Sequence, residues 1–128
     1  MRTVDRVTTA APPRRSAATG ALLDAAAGRL FKVLADPTRL AVLRQLAEGP
    51  ATVAQLLAAL GDPPRSRVGN HLACLAYCGL VTAERDGRTV TYTLADFGVL
   101  DLIALASLVA APNTDHLAAC TRIGPAWV

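Results

Sequence analysis

The sequence predicts a mainly α-helical domain that carries one β-hairpin, and three observations predict it. Apolar residues recur about every 3.6 residues through most of 21–78, the period of a helix with one buried face. The period then changes to 2 on either side of Asp86-Gly87, a dipeptide that favours a tight turn between antiparallel strands. A last apolar run, 97–111, returns to helical length. At 128 residues the chain has room for one domain of ordinary size.

Leu22, Leu23, Ala26, Leu30, Val33 and Leu34 define an amphipathic helix over about 21–35. Asp36-Pro37 ends it and opens the next. Asp is a favourable N-cap, and Pro at the first helical position lacks an N–H that would have no intrahelical partner there. Leu40, Val42, Leu43 and Leu46 carry a second helix over about 37–48, which Gly49-Pro50 stops. Thr52 caps a third, about 53–60, with Val53, Leu56, Leu57 and Leu60 facing inward. After the turn Gly61-Asp62-Pro63-Pro64, a fourth helix spans about 65–78 with Val68, Leu72 and Leu75 on its inner stripe. Gly79 follows as a left-handed C-cap.

Two helices joined by a short turn form a helix-turn-helix unit, and the hairpin of strands 81–85 and 89–94 is its wing. The helix over 97–111 is apolar on nearly every face and needs burial on two sides. A second copy of the chain supplies the second side, so the expected architecture is a dimeric winged helix-turn-helix of about five or six helices. Pro112-Asn113 ends that helix, and the tail 112–128 carries a short helix over about 115–121, His116 and Cys120.

The formal charge of +3 is uneven: residues 1–20 hold Arg2, Arg6, Arg14 and Arg15 against Asp5, which accounts for all of it. This segment reads as a disordered basic arm ahead of a neutral domain over 21–111. Arg14-Arg15 is followed by no uninterrupted apolar stretch, because Asp24, Arg29 and Lys32 intervene, so no export signal is expected. The longest apolar run falls short of the roughly 20 residues of a spanning helix. The expectation is a cytoplasmic protein with no membrane partner. In a reducing compartment, three cysteines point to metal binding or core filling more than to a disulfide framework.

Leu34-Ala35-Asp36-Pro37-Thr38-Arg39-Leu40, followed by Val68-x-x-His71-Leu72-x-x-Leu75-x-x-x-Gly79-Leu80-Val81 and then a wing, resembles the ArsR/SmtB family of winged-helix metalloregulators. The resemblance covers about 22–111 and implies a homodimeric repressor that binds operator DNA. Members sense different ions through different sites. The family's thiol site on the helix before the turn is missing, since Val53-Ala54-Gln55-Leu56 holds no cysteine, and the helix over 97–111 offers Asp101 but no histidine for the family's zinc site. Cys74-x-x-x-Cys78 with Cys120 resembles the CmtR-type cadmium- and lead-sensing repressors, in which two recognition-helix cysteines and one tail cysteine bind the metal. The chain departs from them at Pro63-Pro64, at Gly69 and in its tail.

The residues also speak for themselves. At i and i+4 on a helix, Cys74 and Cys78 have Cβ atoms about 5–6 Å apart and point from one face, so both sulfurs can reach one ion. Thiolates form a soft site that suits Cd²⁺, Pb²⁺, Zn²⁺ or As(III) over Mg²⁺ or Ca²⁺, and softness does not separate the four; the resemblance is what favours Cd²⁺ or Pb²⁺. His71, His116 or water could complete a fourth position, but His71 reads first as a structural or DNA-proximal residue. A Cys74–Cys78 disulfide would need Cβ atoms roughly 3.5–4.5 Å apart, closer than that spacing gives, while one from Cys120 to either stays open. Base and backbone contacts fall to Arg65, Ser66, Arg67, Asn70 and His71 on the fourth helix, and to Arg85, Arg88 and Thr89 on the wing.

A Cys74/His71 dyad has no third orienting group and no oxyanion-hole loop, so the chain does not read as an enzyme. The leading expectation is a repressor that binds its operator metal-free and dissociates when Cys74, Cys78 and Cys120 capture a soft ion. A repressor responding to thiol oxidation, and a constitutive DNA-binding module with structural cysteines, are the alternatives.

Overall fold

A computed structural model describes residues 17–123. Along the chain run α1 (Ala17–Leu34), α2 (Pro37–Leu46), β1 (Ala51–Thr52), α3 (Val53–Ala59), α4 (Arg65–Tyr77), β2 (Val81–Asp86), β3 (Thr89–Leu94), α5 (Gly98–Ala110) and α6 (Thr114–Ala119). Short 3₁₀ turns, Ala111–Asn113 and Thr121–Ile123, flank α6. This is the winged helix-turn-helix: α3 and α4 form the unit and β2–β3 the wing.

The caps are built as their sequences dictate. Asp36 Oδ1 accepts from the backbone N–H groups of Thr38 (2.8 Å) and Arg39 (3.1 Å), so α2 starts at Pro37. Thr52 and Gln55 form a reciprocal capping box at α3, with Gln55 N–H donating to Thr52 Oγ1 (3.2 Å) and Thr52 N–H donating to Gln55 Oε1 (2.9 Å). At the end of α4, Gly79 takes φ +82° and the Leu80 N–H donates to the Leu75 carbonyl at 2.9 Å, the closing bond of a Schellman turn.

Four details differ from the expectations. Most of the basic arm lies outside the described residues, but 17–20 belong to α1, because Ala17 and Ala18 are strong helix formers and one interior glycine costs only about 1 kcal/mol. Cys78 is the C-cap of α4 and not part of its helix. In the hairpin Asp86 pairs with Thr89, so the two-residue turn is Gly87-Arg88, with Gly87 at φ +64° in the first turn position. Pro112 does not end the helical path. It sits at the start of a 3₁₀ turn, where its missing N–H costs nothing, and the chain continues into α6.

An unexpected third strand completes the sheet. β1 pairs antiparallel with β3 (Ala51 opposite Tyr92, Thr52 opposite Thr91), giving the order β1-β3-β2. The core lies where the helix-turn-helix meets this sheet: Val42, Leu43, Leu46, Leu56, Val68, Leu72 and Leu75 are essentially inaccessible, closed by Val81 and Leu94 from the hairpin. Among the described residues, α1 adds Leu34 to it as a buried residue and α5 adds Val99 and Ile103. Much of the apolar surface of those two helices is exposed, including Leu22 (71%), Leu105 (60%) and Leu108 (70%). Phe31 of α1, Leu102, Leu105 and Val109 of α5 and Leu117 of α6 line one apolar groove. No helix among the described residues is long and apolar enough to cross a membrane.

Candidate DNA-reading face and thiol pair

With Val68, Leu72 and Leu75 committed to the core, the helical period sends Arg65, Ser66, Arg67 and Asn70 outward, and all four are exposed. A groove bounded by α3, the start of α4 and the wing is lined by Thr52, Arg65, Arg88, Thr89, Val90 and Tyr92. It gathers into one concavity three residues expected to meet DNA: Arg65, Arg88 and Thr89. Arg85 pairs with Val90, which places it on the same face of the hairpin as Val90 and Tyr92. Arginines on both sides of one concave surface suit a polyanion, through phosphates and guanine edges alike.

Arg67, His71, Cys74 and Cys78 follow one another at spacings of four, three and four, so the first three share one stripe of α4 and Cys78, its C-cap, continues it. Cys74 is half-buried and Cys78 exposed. The Cys78 N–H donates to the Cys74 carbonyl at 3.0 Å, so the last turn is closed and the two thiols adjoin one another. Desolvation, then the adjoining Cys74 sulfur, push the Cys78 thiol up from its ordinary value, while the guanidinium groups of Arg39 and Arg29 pull it down. Arg29, Lys32 and Arg39 line the groove onto which Cys78 opens.

Cys120, the third thiol, is exposed in extended backbone just past α6. Among the described residues of one protomer no group of three His, Cys, Asp or Glu side chains comes together, so the fold joins Cys74 to Cys78 and leaves Cys120 and His116 apart from them.

His71 is placed as a structural residue between two helices. Its Nδ1 accepts from Arg39 Nε at 3.0 Å, which requires that nitrogen to be unprotonated, and its Nε2 faces Asp36 Oδ1 at 3.7 Å. Both ring nitrogens are thus turned toward the start of α2. Arg39 is the functional residue that sequence reasoning missed. It reaches His71 across 32 positions of chain, and no local pattern signals such a contact.

The family described as bacterial regulatory protein, arsR family, matches residues 36–83, from the cap of α2 into β2. The chain is 44% identical over 97 residues to a protein of Streptomyces lividans named probable mercury resistance operon repressor, covering 74% of this chain and 75% of that one. It is 45% identical over 94 residues to the HTH-type transcriptional regulator CmtR of Mycobacterium tuberculosis, covering 73% and 79%. Among solved structures, a homodimeric winged helix-turn-helix DNA-binding domain from Mycobacterium bovis superposes with a TM-score of 0.62 at 34% identity, covering 78% of this chain and 91% of that one. The solution structure of apo-NmtR superposes with a TM-score of 0.59 at 33% identity, covering 79% and 82%.

Proposed function

The chain belongs to the ArsR family of bacterial regulatory proteins, and from that premise we propose that it is a homodimeric, metal-inducible transcriptional repressor whose sensing thiols stand on the DNA-reading helix itself. The observation that carries this reading is the shared stripe of α4, where Cys74 and Cys78 follow Arg67 at helical spacing. Whatever fixes the thiols therefore acts on the element that must enter the major groove.

Two adjacent thiols, one half-buried and one exposed, offer soft donors to a cation without unfolding anything. A bound ion would supply a bridge among thiolates, and Cd²⁺ or Pb²⁺ is the proposed inducer, with Zn²⁺ and As(III) as further candidates. The likeness to a mercury resistance repressor adds Hg²⁺ to them. Cys120 is the third ligand in this reading. Its separation from Cys74 and Cys78 within one protomer supports its arrival from the partner, across the interface that the exposed apolar faces of α1 and α5 would form. Arg65, Ser66, Arg67 and Asn70 read the groove of a double-stranded operator, with Arg85, Arg88 and Thr89 on the backbone or minor groove. Half-sites then lie about 10–10.5 bp apart or a multiple of that.

The test is a titration of reduced, metal-free protein with Cd²⁺, following the thiolate-to-metal ultraviolet band and operator binding together. Appearance of the band with operator release, by roughly 5–150-fold for a coupling of ordinary size, is the expected result. Cys74→Ser and Cys78→Ser should each abolish the response and leave metal-free operator binding intact. Release by peroxide but not by Cd²⁺ would favour the thiol-oxidation reading, and release by neither would leave a constitutive DNA-binding module.

A further inference from the structure

Arg39 stands between three parts of the molecule. From the first turn of α2 its Nη1 donates to the Val33 carbonyl near the end of α1 (3.2 Å), and its Nε donates to His71 Nδ1 on α4 (3.0 Å). The same side chain lines the groove onto which Cys78 opens. His71 lies one turn after Arg67 and one turn before Cys74, so this link meets α4 midway between its base-facing end and its thiols. Both acceptors that Arg39 now uses, a carbonyl and an unprotonated imidazole nitrogen, are neutral. A full negative charge adds Coulombic attraction for the guanidinium that neither neutral acceptor supplies, so a charge that develops at Cys78 competes for it.

We propose that Arg39 is a positioning residue that transmits the charge of the thiol site to the reading helix: negative charge at Cys78 draws its guanidinium off His71, and α4 loses a contact that sets its seat on α2. The inference deepens the metal-sensing reading and rests on it for the natural trigger, since capture of a divalent ion by three thiolates leaves a net negative site. The device itself responds to charge and can be tested with no metal present.

In a chain carrying Cys74→Ser and Cys120→Ser, Cys78 is the remaining thiol. Iodoacetate converts it to a carboxymethyl group with one negative charge, and iodoacetamide to a neutral group of nearly the same size. The charged adduct is expected to bind operator at least about fivefold more weakly than the neutral one, the low end of ordinary coupling. The difference should fall below twofold in Arg39→Lys, which keeps a cation but loses the fork that holds His71 and Val33 together, and also in His71→Ala, which removes the other end of the link. In Arg29→Gln, which takes a charge from the groove but leaves the link, it should persist. Comparing two adducts of one variant cancels any shared loss of stability. An equal penalty in all backgrounds would mean that the charge simply repels DNA phosphates, and no penalty in any would mean that α4 is deaf to Cys78; either overturns the proposal. Failure of the wild-type protein to give a Cd²⁺–thiolate band would sink the metal reading alone.

Discussion

The centre of the molecule and its flanks are packed to different standards. In α2, α3 and α4 the inward stripe is closed to solvent, with Leu43, Leu56 and Leu72 at 0% exposure. In α1 and α5 equally large residues lie open, Leu22 at 71% and Val109 at 70%. The helix-turn-helix is thus complete within one protomer, while the flanking helices hold an apolar surface that one protomer leaves in water. An apolar groove shared by α1, α5 and α6 is the continuous exposed patch on which the proposed dimer would close. Cys78 sits on the seam between the two regions, where the end of α4 meets Arg29 of α1.

The contrast can be broken most severely at the flank. Leu105→Glu places an unpaired carboxylate in the proposed dimer interface, and the expected cost to association is roughly 3–5 kcal/mol. Sedimentation should show monomers where the wild type is dimeric; a wild type that is itself a monomer at micromolar concentration would remove the basis of the comparison. Leu72→Ala attacks the centre and should lower unfolding free energy by about 2–5 kcal/mol. Its urea midpoint should fall in proportion, whereas Leu108→Ala, out on α5, should act mainly through the concentration dependence of the melting temperature.

At the seam, the raised Cys78 thiol must lose its proton before its sulfur can ligate. Metal affinity should therefore climb as pH rises toward the thiol pKa, by about tenfold per pH unit for each proton displaced. Competition titrations between about pH 6 and 8 would show it, and a flat profile would mean that the pair is already ionised. The smallest effect is expected at Thr52→Ala, which removes one half of the α3 capping box and should cost about 1 kcal/mol in thermal or urea unfolding.

The two regions also differ in how far the sequence discloses them. Helical periodicity, the Asp36-Pro37 and Thr52 caps and the change of period at the hairpin exposed the central unit because each is a short-range signal. The turn was displaced by one residue, since Asp86-Gly87 and Gly87-Arg88 both supply the glycine a tight turn requires and only the pairing of Asp86 with Thr89 decides between them. β1 escaped notice because a strand of two residues has no period. The paired thiols were readable from their i, i+4 spacing, but the Arg39–His71 link was not, being a contact between helices distant in sequence. For Cys120, sequence spacing gave no indication of where its backbone would lead.

That two-residue strand has a mechanical consequence. By pairing Ala51 and Thr52 with Tyr92 and Thr91, it ties the start of α3, the first helix of the helix-turn-helix, to the wing. Arg88 at the wing tip and Arg65 at the head of α4 line one groove with Thr52 of that strand, so in the proposed repressor the tie would act on their span as the hinge of a caliper acts on its jaws. Such a gauge would accept duplexes whose groove width already fits and tax those that must be bent to it, so part of the operator's identity would be written in shape, at base pairs no side chain touches.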